Sequence, residues 1–95
     1  MNDPIRNVER MARMRSLLVA ALSPASLELV DDSHQHVGHV GARGGLGHFS
    51  VDIVSDAFAG MAPLARHRAI YDALGEMMTT EIHALSIRAR TSSEA

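Results

Sequence analysis

The sequence predicts an α+β domain built in the order α-β-β-α-β, with a three-stranded mixed sheet and both helices on one face. Three observations predict it. Residues 4–22 carry an apolar repeat at intervals of three and four, the pattern of an amphipathic helix. Two short strand-like segments flank a glycine-rich connection and so read as a hairpin. A second helical pattern then leads into a third strand-like segment, and strands joined through a helix usually lie parallel in one sheet.

Helix 1 starts well at Asn2-Asp3-Pro4: a side-chain oxygen can cap free N–H groups, and proline suits the first helical position. Its stripe is Val8, Met11, Met14, Leu18, Ala21 and Leu22, with Arg6, Arg10, Arg13 and Ser16 largely off it. Ser23-Pro24 ends it, because the residue before a proline is pushed out of the helical region. Leu27-Glu28-Leu29-Val30-Asp31 reads as strand 1. Gly38, Gly41, Gly44, Gly45 and Gly47 follow, five of the seven glycines, so a long irregular connection separates the two hairpin strands. Connections of that length are commonly functional or disordered. Phe49-Ser50-Val51-Asp52-Ile53 alternates apolar and polar residues, the period of a half-buried strand.

Ser55 to Gly60 is punctuation, and Pro63 opens helix 2. Its stripe reads Leu64, His67, Ile70, Tyr71, Leu74, Met77 and Met78, with Gly75 weakening the last turns. Ile82 to Ala89 reads as strand 3, and about residues 91–95 as a short disordered tail. Residues 1–95 form one domain, with no repeat and no second domain.

Composition narrows the function classes. The chain is 46% hydrophobic, enough for a core, but has only two Phe, one Tyr and no Trp. A net charge of −2 argues against a dedicated nucleic-acid binder. No cysteine is present, which rules out disulfides within the sequence. No apolar run approaches the ~20 residues of a membrane span, and the amino terminus lacks a signal-peptide pattern. The expectation is a cytoplasmic protein with no membrane partner.

Six histidines stand out. His34, His36, His39 and His48 fall in or beside the glycine-rich connection, and His83 lies in Ile82-His83-Ala84-Leu85-Ser86-Ile87. Neutral imidazole is a common ligand for iron and zinc. Histidine in this density without any thiol suggests metal chemistry that borrows sulfur from elsewhere or does without it. His-x-His-x-x-His in a glycine-rich loop also permits simple zinc or nickel binding. His34 reads as solvated, His48 as structural, and His67 as a packed histidine holding helix to sheet. Arg66 and Arg68 flank the helix 2 stripe and could face a carboxylate or phosphate, with a solvated position as the first reading. Strand parity puts His83 on the face of Leu85 and Ile87, as expected of a partly buried histidine bonded to backbone.

An ordered set of short motifs adds to this. Asp31-Asp32-Ser33 precedes the histidine- and glycine-rich loop, and His48-Phe49 follows it. Next come Val54-Ser55-Asp56-Ala57-Phe58-Ala59-Gly60, Leu64-Ala65-Arg66-His67-Arg68 with Ile70-Tyr71, and Ile82-His83-Ala84-Leu85. Together, across roughly residues 14–91, they resemble the BolA family. The resemblance implies a fold similar to a class II KH domain. It also implies a monothiol glutaredoxin as partner and a shared 2Fe–2S cluster. There the glutaredoxin cysteine and a glutathione thiolate hold one iron, and the BolA-like chain supplies two ligands to the other. The histidine of the Ile-His-Ala-Leu motif, here His83, would be one. Without cysteine, the second would be a loop histidine, His36 by the best match to Asp32-Ser33 and His39 as the alternative. No cofactor would then be held tightly by the isolated chain. The family's Pro and Glu-Trp pair after strand 3 are not matched, although Thr91 and Glu94 are kept.

Two other function classes compete with this one. Some BolA-like proteins are regarded as transcriptional regulators, with Arg6, Arg10, Arg13, Arg66 and Arg68 as candidate phosphate contacts here. KH domains clamp phosphates with a Gly-x-x-Gly loop between helices. Here Gly38-His39-Val40-Gly41, Gly41-Ala42-Arg43-Gly44 and Gly44-Gly45-Leu46-Gly47 all lie between strands. An enzyme is disfavoured: no nucleophile elbow or acid pair is recognisable, and a loop-histidine hydrolase would need a fixed carboxylate base, with only Asp31 and Asp32 nearby. The sequence leaves a homodimer open.

Overall fold

The structure, a computed structural model, describes residues 4–33 and 46–95. Helix α1 (Pro4–Leu22) is followed by strands β1 (Ser26–Asp31) and β2 (Gly47–Val54). A 3₁₀ turn at Asp56–Phe58 leads to α2 (Pro63–Leu74), a single helical turn α3 (Met77–Thr80) and strand β3 (Ile82–Arg90). The sheet order is β1-β2-β3. β1 pairs antiparallel with β2 through Leu27↔Ile53, Leu29↔Val51 and Asp31↔Phe49. β2 pairs parallel with β3 through Phe49↔Leu85, Val51↔Ile87 and Ile53↔Ala89. The predicted α+β order and mixed sheet are therefore present, and the predicted bounds of helix 1 coincide with α1.

The core forms between one sheet face and the helices. Phe49, Val51 and Ile53 of β2 and Leu29 of β1 meet Met14, Leu18 and Leu22 of α1 and Ile70 and Leu74 of α2. Phe58 and Met77 close it at the connections. Two-residue alternation along β2 leaves His48, Ser50 and Asp52 on the opposite face.

Helix 1 buries Met14, Leu18 and Leu22 of the predicted stripe, with Met11 half-buried beside them, but its amino-terminal turns differ from the prediction. Val8 is 67% exposed, whereas Arg10 is only 3% exposed. Ala21 is exposed as well. The buried line is Asn7, Arg10, Met14, Leu18 and Leu22, still three-and-four spacing but polar over its first two turns. Those turns lie beside the start of the hairpin connection, where polar partners wait. The structure thus corrects the reading of Arg10 as an off-stripe residue.

Helix 2 is corrected in two ways. Gly75 takes φ 57, the left-handed region, and its N–H closes the helix on the Tyr71 carbonyl. Met77 and Met78 therefore belong to the separate turn α3. Leu64 (62% exposed) and Tyr71 also stand outside the core, and Ile70, Leu74 and the half-buried Ala69 and Ala73 carry the packing. His67 is half-buried and stands edge-on to the Tyr71 ring, at 6.5 Å between centroids.

Residues 91–95, expected to be a disordered tail, form a hydrogen-bonded turn. Thr91 is buried, and its N–H donates to Glu94 Oε1 at 2.8 Å. Glu94 in turn accepts from Arg66, whose Nη2 lies 2.9 Å from Oε2. Arg66 Nη1 also donates to the Ala89 carbonyl at 3.1 Å, so this arginine is not merely solvated. The hydrogen bond from Arg66, joined by that from the Thr91 N–H, holds the Glu94 carboxyl down to about 2. Ser55 makes a second tie, donating to the Leu22 carbonyl and accepting from the Ala57 N–H at 3.1 Å.

Candidate functional site

The stems of the hairpin connection and the start of β3 come together at one end of the sheet. Gly47 pairs with Ile82, but His48 pairs with Ala84, so β3 carries one extra residue at this step: His83. This is a β-bulge, a device that re-aims a side chain and is over-represented next to functional sites. Its effect is visible in the burial. Ile82 is buried, His83 and Ala84 are both exposed, and Leu85 returns to the core side. Two consecutive residues face outward, and the parity of His83 is reversed. The expectation that His83 shares a face with Leu85 and Ile87 is corrected, because parity holds only along an unbroken ladder.

The exposed ring of His83 stands 4.9 Å from that of His48, centroid to centroid, with the planes tilted by 53°. His48 is 4% exposed. Its backbone ties both stems together: the Asp32 N–H donates to its carbonyl at 2.7 Å, and its own N–H donates to Ser33 Oγ at 3.0 Å. Ser33 is buried, and its N–H donates to Asp31 Oδ1 at 2.9 Å in an Asx-turn. The Ser50 hydroxyl donates to the Asp32 carboxylate one step along the sheet.

Helix α1 reaches into this junction with two buried polar residues. Asn7 Nδ2 donates to Asp31 Oδ2 at 3.1 Å and to Ser33 Oγ at 3.3 Å. Arg10 Nη1 donates to Asn7 Oδ1 at 2.9 Å, and Arg10 Nε to Glu81 Oε1 at 2.8 Å. Arg13 adds a second bond to Glu81, 3.0 Å long. The hydrogen bond from Arg10 holds the Glu81 carboxyl below its ordinary 4.5, against the opposing effect of desolvation and with help from Arg13. The Glu81 carbonyl accepts from the Gly47 N–H at 2.9 Å. Gly47 is a glycine for a steric reason: a Cβ there would run into the buried Phe49 ring and press on Asn7 Oδ1.

Sequence reasoning named His83 as a site residue but missed this polar network. A signal existed, since the α1 stripe continued back from Met14 at helical spacing falls on Arg10 and Asn7. Buried arginine is rarely left without an acid, but nothing in the sequence points to Glu81, 71 positions away.

His34, His36 and His39, the first read as solvated and the other two expected as candidate loop ligands, lie outside the described residues. The loop stems, ending at Ser33 and resuming at Leu46, lie beside the bulge that carries His83. Among the described residues no three histidine, cysteine or acidic side chains gather closely enough to hold a metal ion. What the described part offers a metal is one exposed imidazole, that of His83. Such a donor fits one iron of a cluster whose remaining ligands come from elsewhere. No helix among the described residues is long and apolar enough to cross a membrane.

Comparison with known proteins agrees with this architecture. The family profile described as "BolA-like protein" matches residues 18–94. SufE-like protein 1 of Arabidopsis thaliana is 46% identical over 90 residues, 90% of this chain and 24% of that protein. The solved BolA domain of the same protein superposes with a TM-score of 0.81 at 45% identity, covering 90% of this chain and 95% of the domain. Protein BOLA1 of A. thaliana is 45% identical over 89 residues, 90% of this chain and 56% of that one. The DNA-binding transcriptional regulator BolA of Escherichia coli is 42% identical over 82 residues, 86% of this chain and 75% of that one. This chain thus spans about a quarter of the first of these proteins and just over half of the second. The two plant proteins are named for chloroplasts or mitochondria, so they lend nothing to the expectation of a cytoplasmic location.

Proposed function

The chain belongs to the BolA-like protein family, and on that premise we propose that it is a non-enzymatic adaptor of iron–sulfur metabolism. It binds a monothiol glutaredoxin and co-ligates a 2Fe–2S cluster with that partner and glutathione, for trafficking or iron sensing. His83 is one ligand and a loop histidine the other, His36 first and His39 as the alternative.

The observation that carries this reading is the bulge. A histidine meant only to fill the strand would sit at regular parity on the core side, but His83 is turned out into solvent beside the loop stems. An exposed imidazole can release a proton and meet a metal with little desolvation. Two imidazoles on one iron, in place of two thiolates, remove negative charge from a cluster and raise its reduction potential. They also make its binding pH-dependent, since each ligand must be deprotonated. The chain's part is to present the imidazoles, to hold the loop stems beside them, and to leave the sulfur to the partner.

The test is anaerobic reconstitution of the chain with a monothiol glutaredoxin and glutathione, read by absorption and EPR against the glutaredoxin alone. A distinct mixed-cluster spectrum and co-elution of the two proteins are expected. A spectrum identical to that of the lone glutaredoxin, with separate elution, rejects the adaptor.

The name of the E. coli relative favours a second reading, DNA binding. The arginines that would serve it are partly committed elsewhere: Arg10 and Arg13 to Glu81, and Arg66 to Glu94. Promoter affinity that falls steeply with salt, as released counterions require, would support that alternative instead.

A further inference from the structure

We infer that His48 is a positioning residue for His83, a rigid wall that holds the outward imidazole in one orientation. The inference rests on the reading of His83 as a ligand and extends it to how that ligand is oriented.

A histidine on a bulge, pointing into solvent, has several staggered side-chain conformations open to it. Metal-binding histidines are nearly always oriented by a hydrogen bond from the ring nitrogen that does not bind the metal, to a carboxylate, carbonyl or water. The His83 ring meets the ring of His48, at 4.9 Å between centroids and with the planes tilted by 53°. That separation and tilt fall in the range of favourable aromatic contact.

His48 is well placed to act as a wall because it cannot move easily. It is 4% exposed, and its backbone is bonded on both sides to the Asp32-Ser33 stem. That stem is held by Asn7, Asn7 by Arg10 and Arg10 by Glu81, which leads back to the residue two positions before His83. The chain of bonds closes on itself around the bulge. Rigid support of this kind is what a metal ligand requires to keep its geometry. The same contact explains a histidine in the first full step of β2, where the outward face elsewhere carries Ser50 and Asp52.

The experiment uses the full chain. NMR of the isolated protein reads the side-chain conformers and ring shifts of His83 in wild type, His48→Ala and His48→Phe, with amide spectra reporting the fold. The same three proteins are then reconstituted with glutaredoxin and glutathione. We expect His48→Ala to average the His83 conformers and to lower mixed-cluster yield several-fold, with a broadened EPR signal. Apo-chain binding to glutaredoxin should change by less than twofold. His48→Phe, which restores a ring, should recover both the conformer and the signal. If folded His48→Ala leaves the His83 conformers and the EPR signal as in wild type, the inference is overturned. So it is if folded His48→Phe rescues neither. Should wild type give no mixed cluster, the adaptor reading fails, while the His83 conformers still decide the role of His48.

Discussion

Arg10 Nε and Glu81 Oε1 lie 2.8 Å apart, linking the second turn of α1 to the residue that precedes β3. This pair joins the beginning of the chain to the site at its other end. The backbone of the same Glu81 accepts the Gly47 N–H on its carbonyl at 2.9 Å, next to the bulge. Replacing Arg10 by Met keeps the volume of the stem but removes the donor to Asn7 Oδ1 and leaves Glu81 paired with Arg13 alone. The expected loss is ~2–3 kcal/mol in urea unfolding, less than for a fully buried pair because Arg13 and solvent still reach Glu81. A change under ~0.5 kcal/mol would mean that the pair contributes only as a surface contact does.

Acid should loosen the carboxy-terminal turn before the rest. The Glu94 carboxyl is held down to about 2 from an ordinary 4.5 by Arg66 and the Thr91 N–H. A depressed folded-state value contributes stability that is complete above the unfolded value and is lost as pH falls toward the folded one. The window therefore runs from about 4.5 down to about 2, and Glu81 adds to it in the same direction. Melting temperatures taken across that range should fall, and Glu94→Gln should flatten part of the slope. A Glu94→Gln curve parallel to wild type through the window contradicts the assignment.

Replacing His83 by Ala should leave the fold nearly untouched, within ~0.5 kcal/mol as for an exposed position, and abolish the mixed cluster. His36→Ala against His39→Ala then identifies the loop ligand: one should lose the signal and the other keep it. Mixed-cluster EPR that survives His83→Ala removes this residue from the ligand set.

Gly47→Ala should be costly for so small a change. The added methyl meets the Phe49 ring, which is itself buried at 2% exposure and cannot swing aside. Overpacking of this kind costs ~1–3 kcal/mol, and here it also spreads the loop stems. Thermal unfolding and the His48 amide shift would both register it; a wild-type melting temperature would show that the stem has room to spare.

Much of this architecture is legible in the residues because its signals are local. Proline and apolar spacing marked α1 and the start of α2, and alternation marked β2, whereas Gly75, read as weakening the last turns of one longer helix, in fact ends it. The misreadings share a cause. Val8, Leu64 and Tyr71 are apolar yet exposed, and Arg10 is charged yet buried. Hydrophobic period alone cannot say which residues meet a polar neighbour contributed by a distant segment. The order in the last five residues escaped notice for the same reason, since it depends on Arg66.

By itself, then, the sequence determined the order of helices and strands and the concentration of imidazole without thiol, because periodicity and composition act over a few neighbouring positions. Tertiary structure alone decided which way His83 faces and what stands beside it. The reason is physical: a one-residue excess in the pairing of β2 with β3 reverses a side chain, and pairing exists only once residues 35 positions apart have met. His48 and His83 become neighbours by that step.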